Sequence, residues 1–103
     1  MTLELFDLGK TLQFKESEIH KYVFLEHGHL KAQTTGLSTG QQIPLCKMDH
    51  DVLFYIISGE GTIIVDEEEK EIRAGQAAFV PKEAASRSIK AKTKMALLAI
   101  QGR

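Results

Sequence analysis

The sequence has one cysteine, almost no net charge and no long apolar run, and each absence excludes a class of protein. The single cysteine, Cys46, excludes a disulfide within the chain and is compatible with a reducing compartment. The 13 basic and 14 acidic residues give a net charge of −1, so charge offers no reason to expect a nucleic acid or an anionic membrane as partner. No apolar run approaches the ~20 residues of a membrane span, and the N-terminus lacks the basic region of a signal peptide. We therefore expect a cytoplasmic protein.

The length and the residue pattern predict a single all-β domain. The 103 residues suffice for one domain, and 43% of them are hydrophobic. Short segments rich in β-branched residues recur along the chain with turn residues between them, and no segment of ten or more residues has the periodicity of a helix. This pattern predicts a small antiparallel β-barrel or sandwich over residues 21–103, with residues 1–20 as an N-terminal arm.

The most apolar segment of the chain is 52–57, within PLCKMDHDVLFYIISGEG (44–61). Six apolar or aromatic residues in a row predict a strand that is buried on both faces. Gly59 and Gly61 allow positive φ angles and hence a tight reversal. The β-branched segment 62–65 is therefore predicted to pair back on this strand as a hairpin.

Two segments resemble the signature motifs of the cupin superfamily. Residues 44–61 end in SGEG and are similar to the first motif, which ends in a phrase like YVLSGEG. Residues 75–81 are similar to the second motif, with a glycine, five residues and a proline. The resemblance covers residues 40–101 and implies a double-stranded β-helix, the jelly-roll-like cupin barrel. Because alternate residues on a strand face the same way, it also implies a cluster of motif residues inside the barrel.

The residues that bind metal in cupins are replaced at the matching positions. The resemblance places the two histidines of the first motif at Cys46 and Met48, its glutamate at Val52, and the last histidine of the second motif at Ser86. Valine cannot bind a metal, and a neutral hydroxyl is a poor ligand. We therefore expect no cofactor, and a metal-free barrel that binds a small molecule in a sensing or accessory role. The expected pocket is lined by Cys46, Met48, His50, Val52, Tyr55, Phe79, Ser86 and Ser88.

Several pocket residues allow a second interpretation. Cys46 and Met48 are soft sulfur donors on one strand face, which suits Cu(I), although both side chains also serve as pliable apolar lining. Cys46 as a nucleophile would need a neighbouring base, for which His50 is the nearest candidate in the sequence. Tyr22 or Tyr55 could donate a phenolic hydroxyl to a ligand, or simply pack within a sheet.

A relocated transition-metal site is the main alternative to a metal-free pocket. His50 and Asp51 precede the central strand and could bind a metal together with His27 or His29. Such a centre would make the protein an isomerase-, decarboxylase- or dioxygenase-like enzyme. The other interpretation is that His50 and Asp51 bond to backbone in a loop, and that His27 and His29 lie at a solvated strand end.

The resemblance also implies a mode of assembly. Cupins of this size commonly form homodimers by adding strands to each other's sheets, and residues 3–14 are the candidate segment here. A third interpretation is therefore an interaction module whose dimer surface matters more than its pocket. The sequence contains no helix-turn-helix segment, so we do not expect direct DNA binding.

Overall fold

The computed structural model describes residues 2–102, which form nine strands and one short helix. The helix α1 (Leu8–Thr11) is a single turn that begins after Asp7, whose side chain accepts the N–H of Gly9. The strands are β1 (His20–His27), β2 (Leu30–Leu37), β3 (Gln42–Cys46), β4 (Asp51–Ser58), β5 (Glu60–Val65), β6 (Glu68–Arg73), β7 (Ala77–Val80), β8 (Arg87–Ala91) and β9 (Met95–Gly102). The predicted all-β class is confirmed. Within residues 2–102, no helix has the length and apolar character needed to cross a membrane.

The strands form two antiparallel sheets that pack face to face. One sheet has the strand order β1-β2-β9-β4-β7, and the other has the order β3-β8-β5-β6. Apolar side chains from the inner faces of both sheets fill the space between them, and their removal from water holds the sheets together. The core consists of Leu37, Ile43, Val52, Phe54, Ile56, Ile63, Ile72, Val80, Ile89, Ala91, Met95, Leu97 and Ala99.

The central strand β4 is buried on one face only, so the prediction of burial on both faces is wrong. Val52, Phe54 and Ile56 lie in the core, whereas Leu53 and Tyr55 are each 41% exposed. The apolar run is thus two alternating sets of side chains, one of which lies on the outer surface of the five-stranded sheet. An unbroken apolar run does not by itself distinguish these two cases.

The predicted hairpin of β4 and β5 is also wrong, because the two strands lie in different sheets. β4 pairs with β7 and β9, whereas β5 pairs with β6 and β8. Gly59 has a φ of 80°, and a Cβ there would overlap the carbonyl oxygen of Lys94. Gly61 has no positive φ, but a Cβ there would overlap the carbonyl oxygen of Lys90. The two glycines therefore form a corner at which the chain passes closely against its neighbours and changes sheet.

The N-terminal arm lies against β2 of the same chain. The hydroxyl oxygens of Thr11 and Thr34 are 2.6 Å apart, within hydrogen-bond distance. The carbonyl oxygen of Lys15 accepts a 2.8 Å hydrogen bond from the side-chain amide of Gln41. The preceding residues 2–7 are exposed. Within this first part, the ring of Phe6 packs against Phe24 of β1, with ring centroids 5.0 Å apart.

Candidate functional site

One end of the barrel, which we call the mouth, is formed by three connections. The loop 47–50 joins β3 to β4 and the loop 81–86 joins β7 to β8, and both cross between the sheets. The hairpin tip 66–67 joins β5 to β6 at the same end. Because β4, β6 and β8 begin here and β3, β5, β7 and β9 end here, side chains from the ends of seven strands lie around the mouth.

Two aspartates fix the loop 81–86 at the mouth. Asp51 Oδ1 accepts the backbone N–H of Lys82 at 2.9 Å. Asp66 Oδ1 accepts the N–H groups of Ala85 and Ser86, at 2.8 and 3.0 Å. The loop is therefore anchored to one sheet through Asp51 and to the other through Asp66, so both carboxylates have a structural role.

Four of the expected pocket residues come together at the mouth. Val52 is 1% exposed and belongs to the core, and Met48 is half-buried and packs against that core. His50 is half-buried in the loop 47–50. Cys46 ends β3, is exposed, and lies opposite Arg87 in the register of β3 and β8. Alkyl and sulfur groups therefore occupy the part of the mouth where the cupin resemblance implies an imidazole and a carboxylate.

The two serines expected at the pocket make contacts within the four-stranded sheet and the loop 81–86. Ser86 precedes β8, and its backbone carbonyl accepts the N–H of Asp66 at 3.0 Å. Ser88 is fully buried, and its hydroxyl donates to the carbonyl of Ile43 at 2.7 Å and accepts from the Gln42 side-chain amide at 2.8 Å. The Ser88 hydroxyl is thus bound on both its donor and its acceptor side within the four-stranded sheet.

The aromatic residues expected at the pocket lie on the outer surface. Tyr55 is 41% exposed and Phe79 is 62% exposed. Phe79 lies opposite Leu53 in the register of β4 and β7, on the side away from the core. Tyr22, on β1, is 49% exposed. The structure does not bring these rings to the interior of the barrel.

The residues proposed for a relocated metal do not cluster. His50 and Asp51 lie at the start of β4, whereas His27 and His29 lie at the turn between β1 and β2. Two strands, β9 and β2, separate β4 from β1, which places Asp51 and His27 about 14 Å apart at the usual strand spacing. Within residues 2–102, no three His, Cys, Asp or Glu side chains are grouped so that they could hold a metal ion. With Val52 also at the carboxylate position, these donors do not fit the metal centre that the fold suggests.

The residue that sequence reasoning missed is Arg87, whose side chain enters the barrel. It is 8% exposed, and its guanidinium carbon lies 5.5 Å from the centroid of the Phe54 ring. Its Nε and Nη1 atoms are buried and have no hydrogen-bond partner among residues 2–102. Neither of the ion pairs found in this part of the chain involves it. Since arginine stays protonated in proteins, the interior holds a positive charge without a counter-charge from these ion pairs.

The sequence did contain a signal for Arg87. In 86–91, Arg87 alternates with serines and shares a strand face with Ile89 and Ala91, which are both buried. The period of two in a strand therefore places Arg87 on the inward face. The spacing of the second cupin motif pointed instead to the neighbouring Ser86.

A groove of about 790 Å³ opens between β6 and β7, the edge strands of the two sheets. Its apolar walls include Val65 and Ala78. Val65 is the cross-strand neighbour of Arg87, and Ala78 is that of Phe54. Its rim carries charged side chains, namely Asp66, Glu67, Glu68, Lys70 and Glu71. The groove therefore extends beside the residues that flank Arg87 and Phe54.

Comparison with known proteins identifies the family to which this architecture belongs. Residues 33–100, about two-thirds of the chain, match the family described as Cupin domain. The protein TT1209 from Thermus thermophilus has a TM-score of 0.89 at 22% identity, with 97% of each chain covered. An RmlC-like cupin from Desulfovibrio desulfuricans has a TM-score of 0.87 at 16% identity, with 98% of this chain and 97% of that chain covered. The conserved protein SPY1581 of unknown function from Streptococcus pyogenes has a TM-score of 0.85 at 18% identity, with 100% and 90% covered. None of the curated proteins matches. At these identities the similar structures show the fold alone, while the family match is decisive: the chain belongs to the cupin family.

Proposed function

We propose that this protein is a metal-free cupin that binds a small organic molecule in a sensing or accessory role. The observation that supports the proposal is the chemistry of the mouth. Val52 is buried at the position where the resemblance implies a carboxylate, and the pliable thioether side chain of Met48 packs against the same core. The groove between β6 and β7 is lined by Val80, the cross-strand neighbour of Val52. A concave site with apolar walls and a few polar groups is typical of small-molecule binding.

The carboxylates at the mouth support this proposal over the enzyme alternative. A relocated metal centre would need Asp51, whose Oδ1 already accepts the N–H of Lys82 at 2.9 Å. Asp66 is engaged in the same way with the loop 81–86. In both aspartates Oδ1 is engaged with this loop, so a metal would have to bind through Oδ2.

Metal analysis of the full-length protein, purified without chelators, tests this proposal. We expect inductively coupled plasma mass spectrometry to find far less than one transition-metal ion per chain, in the wild type and in His50→Ala alike. Stoichiometric iron, manganese, nickel, zinc or copper that is lost in His50→Ala would overturn the proposal and favour the enzyme alternative.

A ligand screen by saturation-transfer NMR tests the positive half of the proposal. Small apolar compounds should give saturable signals with the wild type. Met48→Lys should weaken these signals, because it places a charge against the apolar part of the mouth. Leu45→Lys is the matched control, since Leu45 lies nearby on β3 but is 62% exposed. Equal signals from both variants would contradict binding at the mouth.

The outer surface of the five-stranded sheet favours a second proposal, a homodimer. Leu53 and Phe79 lie opposite each other on β4 and β7, and on β9 Ile100 faces Leu53 while Leu98 faces Tyr55. These five side chains form one apolar surface on three adjacent strands. Contiguous exposed apolar surfaces on soluble proteins mark interaction sites.

A second copy of the chain is the partner that this outer surface fits. None of its five side chains carries a charge, so the surface is complementary to itself across a twofold axis, the commonest symmetry of homo-oligomers. The exposed residues 2–7, which include Leu3, Leu5 and Phe6, supply further apolar area for such a contact. The proposed interface is the sheet face, whereas the sequence analysis proposed strand addition by the arm.

A further inference from the structure

We propose that Arg87 binds the carboxylate of a small organic acid inside the barrel. This inference rests on the proposed small-molecule function and specifies the chemical class of the ligand. Arg87 begins β8, is 8% exposed, and has its guanidinium 5.5 Å from the centre of the Phe54 ring. The strand, the ring and the surrounding core thus hold a cation at a defined place beneath the mouth.

The bonding of the guanidinium is incomplete. Nε and Nη1 are buried and have no partner among residues 2–102. Arginine cannot relieve this by losing its proton, and a buried charge without a partner is strongly unfavourable. The Phe54 ring compensates only in part, because a cation–π contact satisfies none of the N–H donors in the guanidinium plane. An anion that enters the barrel would supply the missing hydrogen-bond acceptors and the missing negative charge.

None of the ion pairs among residues 2–102 joins a carboxylate to Arg87. Asp49, Glu67 and Glu83, in the three connections that form the mouth, are exposed to solvent. Asp66 accepts two backbone N–H groups of the loop 81–86, and Asp51 accepts a third. Glu68, across the hairpin from Val65, pairs with Lys70 at 3.4 Å. The counter-charge for Arg87 is therefore assigned to a ligand.

The surroundings of Arg87 favour a monocarboxylate with an apolar body. A planar carboxylate matches the donors of a guanidinium edge, and one negative charge balances one guanidinium. A dianion such as phosphate would bring a second charge among the apolar side chains of Val52, Met48 and Val65, where it would stay unpaired. The same apolar side chains can pack against the hydrocarbon part of an organic acid.

Both cross-strand neighbours of Arg87 reach open space. Cys46 is exposed at the mouth, and Val65 lines the groove between β6 and β7. Four acidic residues and one lysine on the rim of the groove repel an anion that approaches from that side. We therefore assign access to the side of Cys46, where the loop 47–50 carries one lysine, Lys47, and one aspartate, Asp49, and has no excess of negative charge.

The test compares acids with their neutral amides on the full-length protein. Benzoate and butyrate are titrated against benzamide and butyramide, with saturation-transfer NMR and thermal shift as readouts. The wild type should bind the acids roughly 10- to 100-fold more tightly than the amides, the range expected for hydrogen bonds to a charged group. Arg87→Met should abolish this preference, while Lys82→Met, which removes an exposed positive charge on the loop 81–86 of the same mouth, should retain it.

A stability measurement without ligand separates a binding role from a structural one. A buried charge without a partner does not contribute to folding, so Arg87→Met should leave the urea midpoint unchanged or raise it. A clear drop in midpoint would show that Arg87 supports the fold and would overturn the assignment. If Arg87→Met yields no folded protein, Arg87→Gln takes its place: loss of the acid preference with an unchanged or raised midpoint supports the assignment, and a retained preference overturns it.

The outcomes distinguish this inference from the function on which it rests. If amides bind as well as acids, or if Arg87→Met keeps the acid preference, the proposal of an anion site is wrong, while the proposal of a small-molecule pocket is unaffected. If none of the four compounds binds and mass spectrometry finds no organic acid released from the denatured wild type, both fail. Acid preference in the wild type that Arg87→Met abolishes, together with an unchanged or raised midpoint, supports the inference.

Discussion

The substitution Gly59→Ala is expected to destabilise the protein strongly, because two independent requirements meet at the corner between β4 and β5. The φ of Gly59 is 80°, and an L-residue in the left-handed region costs roughly 1–2 kcal/mol. A Cβ would also overlap the carbonyl oxygen of Lys94 and lie 2.8 Å from the Cα of Met95. Both are backbone atoms, and forcing core backbone apart costs roughly 1–3 kcal/mol. The total is about 2–5 kcal/mol, a large part of the stability of a small domain.

Two matched variants separate these contributions. Gly75 has a φ of 89° and no atom within 4 Å of an added Cβ, so Gly75→Ala measures the backbone term alone, about 1–2 kcal/mol. Gly61 has no positive φ but would overlap the carbonyl oxygen of Lys90, so Gly61→Ala measures the steric term alone, about 1–3 kcal/mol.

Urea unfolding followed by circular dichroism gives the free energy of unfolding of each variant by linear extrapolation. The loss in Gly59→Ala should approach the sum of the losses in the other two variants. A Gly59→Ala protein that is as stable as Gly75→Ala would refute the close packing of this corner against the segment before β9. It would also remove the physical reason given for the change of sheet.

Two further outcomes are expected from the surface and from the loops. Light scattering coupled to size exclusion should give a dimeric mass for the wild type. Leu53→Glu and Phe79→Glu should give a monomeric mass, because a buried unpaired carboxylate is unfavourable, while Leu45→Glu on the other sheet should stay dimeric. A monomeric wild type would contradict the proposed homodimer. Asp66→Ala should lower the free energy of unfolding by about 1–3 kcal/mol, because it removes the acceptor of two backbone N–H groups, and Glu67→Ala at the same hairpin tip should change it little. Equal losses in these two variants would argue against the anchoring role of Asp66.

The strand positions could be predicted where turn residues bound them. β2 begins at Leu30, directly after Gly28 and His29, which form the turn before it. β7 ends at Val80, because the next residue, Pro81, cannot donate a ladder hydrogen bond. These strand boundaries depend on local properties of the chain, so the sequence alone is enough to predict them.

Strand pairing could not be predicted in the same way. The segment 62–65 follows β4 after a short glycine turn, which is also the pattern of a hairpin. The corner at Gly59 is decided by contacts with Lys94, which is 35 positions away in the sequence. Likewise, the exposure of Leu53 and Tyr55 depends on what covers the outer sheet face, which local hydrophobicity does not reveal.

The candidate site was predicted in part. The motif spacing selected Cys46, Met48 and Val52, which the structure places on the elements that form the mouth, while the replacement of metal ligands at these positions stays a prediction. It did not identify Arg87, because motif positions are counted along the chain, whereas the side that a residue faces depends on the register of β8 against β5. Arg87 and Ser86 alternate along the strand, so assigning the two strand faces from this alternation would have placed Arg87 on the inward face.

The most direct measurement of the central claim is X-ray diffraction from crystals of the untreated full-length protein, with anomalous data collected at the absorption edges of iron, nickel, copper and zinc. We expect no anomalous peak at the mouth and density for a small organic anion against the guanidinium of Arg87. A strong anomalous peak within bonding distance of Cys46, Met48 or His50 would contradict the account, since it would show a metal ion at a mouth that we propose to be metal-free.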